Sequence, residues 1–210
     1  MTINLNIMRP VGFHKNINKN LKKCILRVDK GSGWKKTVKC PICQSKKHIF
    51  WLKKFKISIN KCLKCDTGYV TSVPKNIDDV YKSETQFKHH QKSYQKTRDY
   101  RIKRFGKERL DLLLKYKKKG KLIDIGCGNG WFLETSRKKF NCEGLELNES
   151  LANFTEKQLK IKIYKDYKFL KDNSYDIITL FDLIEHVKDP VSFIKFLTKK
   201  LKKGGKLLIY

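Results

Sequence analysis

Acidic side chains and arginine are both scarce in this 210-residue chain. Twenty Asp and Glu stand against 49 Lys and Arg, leaving a formal charge of +29, and only 7 of the 49 are arginine. Long apolar runs are missing too. No window approaches the roughly 18 continuous apolar residues of a membrane-spanning helix. The first thirty residues are polar and rich in Lys and Asn, without the apolar block of a signal peptide, so the expected address is cytoplasmic. With no export signal, the seven cysteines do not read as a disulfide scaffold.

The charge that is present is uneven. Residues 1–120 hold 32 basic and 8 acidic residues, and residues 121–210 hold 17 and 12. A basic front half can meet phosphate, in nucleic acid or at a membrane surface. Nucleic-acid binders lean on arginine, whose planar fork reads phosphate and guanine. The lysine excess, with plentiful Asn and Ile, fits the compositional drift of an AT-rich genome better, and both readings stay open. At 40% apolar, the chain can bury one substantial core and a smaller appendage.

Cys40, Cys43, Cys62 and Cys65 read "CPIC", eighteen residues, then "CLKC". This is the spacing of a structural zinc site, in which two tight turns each contribute two thiolates to a tetrahedron. Between them, Phe50, Trp51, Phe55, Ile57 and Ile59 supply the β-type content of a hairpin. Four sulfurs fill the shell, so the Zn²⁺ is expected to be structural and His48 to lie on the surface. Cys24, Cys127 and Cys142 have no partners at metal spacing and read as free thiols.

The expected organisation is a basic segment at 1–36, a zinc ribbon at 37–72, a helical linker or lid at 73–118 and an α/β domain at 119–210. In the linker, Tyr81, Phe87, Tyr94, Tyr100, Ile102 and Phe105 make a thin apolar stripe, and Leu110, Leu113 and Leu114 a cleaner helical face ended by Gly120. His89 and His90 read as solvated. From Lys121 the pattern alternates: strand "KLIDI", turn "GCGNG", helix "WFLETSRKKF", strand "CEGLEL", helix "SLANFTEKQLK" capped by Asn148 or Ser150, strand "IKIYKD" and a fourth strand opening "YDIITLFDLIEHV". A helix with Asp189 as cap and Pro190 at its first position follows, stopped by Gly204 and Gly205 before "KLLIY". Alternation of this kind specifies a parallel sheet with right-handed crossovers and a ligand site at the strands' carboxyl ends.

The glycine turn narrows the ligand. Lys and Ser/Thr are absent after Gly130, which excludes a P-loop, and Gly126, Gly128 and Gly130 make G-x-G-x-G rather than the dinucleotide G-x-G-x-x-G. Asp124, just ahead of the turn, would repel a pyrophosphate but suits a cation. Glu146, about twenty residues on at the end of the next strand, suits the two hydroxyls of a ribose. A ribose-bearing cation without pyrophosphate describes S-adenosylmethionine.

"LIDIGCGNGWFLE", "GLELN", "SYDIITLFDLIEHVKDP" and "LKKGGKLLIY" together resemble the motifs of class I S-adenosylmethionine-dependent methyltransferases, in order and at family spacing. The "EHV" and "DP" variant is similar to ubiquinone-biosynthesis O-methyltransferases. A four-cysteine ribbon ahead of such a domain resembles bacterial methyltransferases of sugar and glycan modification. The resemblance implies a Rossmann-like sheet, a small-molecule or glycan-linked acceptor, and S-adenosylmethionine as cofactor. It implies that Gly126, Cys127 and Gly128 pass the methionine part of the cofactor and Asp124 anchors its amino group. Glu146 takes the ribose and Leu147 packs on the adenine, with Asp166 near the adenine amine. Phe181 and Asp182 line the transfer site, and His186 is a candidate general base whose other reading is a packed turn residue. The family's sheet has seven strands, whereas residues to Tyr210 reach the fifth. The expectation is therefore a C-terminally incomplete sheet whose open edge invites oligomerisation or a completing chain. The alternatives are an RNA methyltransferase, given the basic front half, and an inactive ribbon module with an incomplete catalytic domain.

Overall fold

The computed structural model describes residues 33–54, 57–75 and 97–210. Expectations placed on Cys24, Tyr81, Phe87, His89, His90 and Tyr94 lie outside the described residues. The chain divides into two compact units, residues 1–80 and 81–210.

In the first unit, β1 (Trp34–Lys36) pairs antiparallel with β5 (Ser72–Pro74), so ordered strands flank both limits of the expected ribbon. β2 (His48–Lys54), β3 (Ile57–Cys62) and β4 (Gly68–Val70) form an antiparallel sheet in that order. Branched and aromatic side chains, with no Gly or Pro in β2 or β3, favour the pairing. The register shifts between Phe50 and Leu52, leaving Trp51 as a bulge. Apolar burial is slight: Cys40, Cys62 and Tyr69 make the cluster, with Cys43 packed against it.

The second unit opens with helical residues from 97 that pass through a π-helical turn (Ile102–Gly106) into α1 (Lys107–Leu114). There follow β6 (Lys121–Ile125), α2 (Trp131–Ser136), β7 (Asn141–Leu145), α3 (Glu149–Leu159), β8 (Ile163–Tyr164), β9 (Tyr175–Leu180), α4 (Pro190–Lys200) and β10 (Leu201–Ile209). The strands are parallel in the order β10-β9-β6-β7-β8. The chain winds outward from β6 to β8, then returns to β9 on the other side of β6. That reversal puts the topological switch point, where open α/β sheets take their ligands, at the carboxyl ends of β6 and β9. Side chains alternate across the sheet into two cores. Leu122 joins Leu113, Phe132, Leu133 and Ile177 in one, while Ile123 and Ile125 join Leu145, Tyr175, Ile178 and Leu197 in the other.

Local chemistry sets the boundaries. Asn148, rather than Ser150, caps α3 by accepting the Leu151 N–H at 3.0 Å, and Asp189 caps α4 through the Ser192 N–H, with Pro190 following. Three elements differ from the sequence expectation. α2 ends at Ser136, whose carbonyl accepts both the Lys139 and the Phe140 N–H, and the turn sends Phe140 into the core. β8 has only two residues, because Asp166 caps a 3-10 turn (Tyr167–Phe169) straight after it. Gly204 and Gly205 do not stop α4, which ends at Lys200. β10 already pairs at Leu201 opposite Tyr175, and Gly204, at φ +75°, interrupts it before regular pairing resumes at Lys206.

Candidate functional site

Two sites emerge, one in each unit. In the first, the sulfurs of Cys40, Cys43, Cys62 and Cys65 all lie within 4.8 Å of one another. Cys40 Sγ is 3.5 Å from Cys65 Sγ, and Cys43 Sγ is 3.5 Å from Cys62 Sγ. A tetrahedral zinc with Zn–S near 2.3 Å has S···S edges of about 3.8 Å, so the set fits such an ion with little adjustment. Both knuckles close in the same way. Gln44 and Asp66, each following the second cysteine of its pair, adopt left-handed φ of 60° and 63°. Their N–H groups donate to the Cys40 and Cys62 carbonyls, each at 3.0 Å. His48 is exposed, its ring edge-on to Tyr69 at 6.1 Å, and it is no member of the cluster.

In the second unit, the turn after β6 is built on left-handed glycines: Gly126, Gly128 and Gly130 have φ of 72°, 52° and 72°. They do different work. A Cβ at Gly130 would come within 2.6 Å of Leu159 and 2.7 Å of Thr155, so this glycine lets α3 pack closely. A Cβ at Gly128 would meet no atom within 4 Å, which leaves its backbone approachable. Thr155 pins the turn from α3 by donating its hydroxyl to the Gly128 carbonyl at 2.7 Å.

Glu146, just past β7, closes the other side. Its Oε2 accepts the Gly128 N–H at 3.0 Å and its Oε1 the Asn148 N–H at 2.9 Å. Each oxygen keeps a further lone pair, so the carboxylate is held in place without being used up. Burial raises its pKa above the ordinary value, while the Asn148 and Gly128 amides pull it back. Asp124, only 4% exposed, accepts the Thr179 hydroxyl at 2.6 Å. Burial pushes its pKa up to about 7. The Thr179 hydrogen bond and the Arg109 charge oppose that rise, and Glu146 adds to it. A turn with approachable backbone, a second-strand carboxylate and a buried acid that gains from a cation fit S-adenosylmethionine. Cys127 lines the turn as a buried thiol whose pKa burial drives well up.

The remaining expected residues are placed less centrally. Leu147 packs against the second core. The Asp166 carboxylate already accepts the Lys168 N–H at 2.9 Å. Phe181 is buried edge-to-face against Phe132 at 4.7 Å, and Asp182 is exposed in a left-handed conformation at φ 52°. His186 is exposed at the end of a 3-10 turn (Ile184–His186), its Nε2 4.0 Å from Glu185 Oε1.

The largest omission of sequence reasoning is Arg109 on α1. Its Nη2 donates to Asp182 Oδ2 at 2.9 Å and its guanidinium lies 4.2 Å from the Phe181 ring centre, while its Nε is buried without a hydrogen-bond partner. The helical residues ahead of α1 are clamped to α2: Arg98 pairs with Glu134, and Arg101 lies 4.0 Å over the Trp131 ring. A signal existed. Four of the chain's seven arginines fall between 98 and 109, in a protein that uses lysine elsewhere. Planar stacking and paired hydrogen bonds are what arginine does and lysine does not. Thr179 and Thr155 were also missed, because a strand threonine and a helix threonine carry no motif.

The fold is thus an α/β sheet whose order reverses between β6 and β9, with Asp124, the glycine turn and Glu146 gathered at the ends of β6 and β7. The methyltransferase-domain family matches residues 94–210, and the chain belongs to that family. Among curated proteins, it is 39% identical over 99 residues to the ubiquinone biosynthesis O-methyltransferase of Pelagibacter ubique, covering 42% of this chain and 40% of that protein. It is 30% identical over 94 residues to the enzyme of the same name from Hydrogenovibrio crunogenus, covering 40% and 39%. The chain therefore spans about two fifths of the length of these relatives. Among solved structures, a SAM-dependent methyltransferase from Aquifex aeolicus aligns with 22% identity and a TM-score of 0.43, covering 47% of this chain and 61% of that one.

Proposed function

We propose that the second unit binds S-adenosylmethionine at the carboxyl ends of β6, β7 and β9, and that the protein transfers its methyl group to a small-molecule or glycan-linked acceptor. The observation that carries this reading is Glu146, fixed by the Gly128 and Asn148 amides beside a turn whose backbone stays approachable. When bound, the cofactor supplies a methyl carbon already activated by its sulfonium.

The chain's residues then bind and orient. Glu146 takes the ribose hydroxyls, and Leu147 packs on the adenine. The amides and carbonyls of Gly126 to Gly128 run beside the methionine part. Asp124 counters its ammonium, and Arg109, with an unused Nε, meets its carboxylate. Asp166 is the weaker candidate for the adenine amine, since its carboxylate already holds the Lys168 amide. Phe181 and Asp182 border the transfer path. Orientation of this kind can supply roughly 7–11 kcal/mol of rate acceleration in a displacement reaction. The relatives' O-methyltransferase name favours oxygen as the acceptor atom. For such an acceptor, His186 is the candidate to take the hydroxyl proton. In the first unit, Cys40, Cys43, Cys62 and Cys65 hold a structural Zn²⁺.

Isothermal titration of the full chain with S-adenosylmethionine and S-adenosylhomocysteine tests the reading. Both ligands are expected to bind, and Glu146→Ala to weaken each by about 10- to 100-fold, as loss of charge-assisted hydrogen bonds does. Absence of binding to the wild-type chain would refute it. His186→Gln that retains full turnover would remove the base role alone.

A further inference from the structure

We propose that the first unit docks on an anionic lipid surface through the sheet face opposite its cysteine cluster. Strand register sorts the side chains. His48 opposes Cys62, while Phe50 and Tyr69 flank Asn60, so these side chains share the cluster side. On the other face, Ile49 lies in the row of Lys61 and Gly68, and Leu52 and Val70 flank Ile59. The bulged Trp51 lies there too, since a Cβ at Gly68 would come within 2.6 Å of its ring. That face carries Ile49, Trp51, Leu52, Ile57, Ile59 and Val70. The first three are 50%, 56% and 38% exposed. A solvated antiparallel face is ordinarily polar, and a contiguous apolar one marks a binding surface.

Charge identifies the occupant. Residues 33–75 contain eleven lysines, no arginine and one acid, Asp66. A second copy would set lysine against lysine. Single-stranded nucleic acid is bound by aromatic rings that share a face, whereas Phe50 and Trp51 lie on opposite faces and the apolar face is otherwise aliphatic. Protein interfaces favour arginine and exclude lysine from their centres. Aliphatic side chains with one tryptophan, sharing their face with Lys54 and Lys61, match a bilayer interface bearing anionic headgroups.

The test is co-sedimentation of the full, zinc-loaded chain with vesicles of phosphatidylcholine containing about a third phosphatidylglycerol. Binding is expected to the anionic vesicles, to be weak on pure phosphatidylcholine, and to fall as salt rises. The double variant Trp51→Ser/Leu52→Ser is expected to lose roughly tenfold or more, and Phe50→Ser on the cluster side less than about twofold. Zinc content and S-adenosylmethionine affinity, measured on each variant, separate this result from misfolding and from the methyltransferase reading. Should the double variant lose zinc, the wild type still decides. Brominated lipid is expected to quench its tryptophan fluorescence, and Trp51→Phe to abolish that quenching while still binding. The proposal is overturned by equal binding to neutral vesicles, by no binding, or by equal losses from the two faces. A single-stranded oligonucleotide that binds more tightly than the vesicles, or a dimer that the double variant disrupts, overturns it as well.

Discussion

The buried cluster of the first unit is two of its four clustered cysteines, Cys40 and Cys62, with Tyr69, whereas the second buries two clusters of aliphatic and aromatic side chains on opposite faces of one sheet. Strand β2 is exposed along all seven residues, while β6 is buried at four of its five. The contrast shows two ways of holding a short chain. One sets four cysteines where a metal could join two knuckles, around a sheet that buries little apolar surface, and the other relies on hydrophobic burial. The proposed cofactor site falls in the second of these, where Asp124 and Glu146 are held by hydrogen bonds to Thr179 and to the Gly128 and Asn148 amides.

Breaking the metal site separates the two units most sharply. Apparent zinc affinities in comparable small sites are about 10–16 kcal/mol, so Cys62→Ser is expected to unfold the ribbon. Proteolysis of residues 37–72 would report this, with the thermal transition of the second unit unchanged. Ile123→Ala attacks the other unit. Ile123 is fully buried, and its truncation is expected to cost about 2–5 kcal/mol in denaturant unfolding without changing zinc content.

A smaller effect tests Arg109. Arg109→Lys keeps the charge but loses the planar stack on Phe181, and is expected to weaken S-adenosylmethionine by about tenfold. 5′-Methylthioadenosine, which lacks the carboxylate, should be weakened by less than about twofold. Equal losses for the two ligands would make Arg109 a structural residue only.

The pH dependence of Asp124 is subtler. Its folded pKa is raised from 3.8 to about 7. The stability of the ligand-free protein linked to this group is therefore fully present below about pH 4 and lost as pH rises through about 7. A cationic ligand reverses the preference, so S-adenosylmethionine should bind more tightly as pH rises toward 7, by at most about tenfold per unit, and level off above. Asp124→Asn is expected to flatten the profile in calorimetric titrations; an unchanged profile would assign the proton elsewhere.

Much of this was legible before the structure. "CPIC" and "CLKC" carry their geometry in their spacing, and the sulfurs converge as expected. "KLIDIGCGNG" places the turn, because three glycines at alternate positions need φ values that other residues rarely adopt. The boundary of β10 was not legible. Gly204 and Gly205 look like a helix stop, but the preceding chain had already turned to pair at Leu201. The Arg109–Asp182 pair was not legible either, since it arises from α1 reaching the loop after β9, a contact 73 residues apart in sequence.

Hydrogen exchange of the full chain, measured with chelator, with S-adenosylmethionine and with both, tests the central contrast most directly. Chelator is expected to expose residues 37–72 and leave β6 protected. S-adenosylmethionine is expected to add protection at residues 124–130 and 146–148 whether or not the metal is present. Ligand protection that vanishes with the metal, or a sheet that loses protection together with the ribbon, would contradict the account.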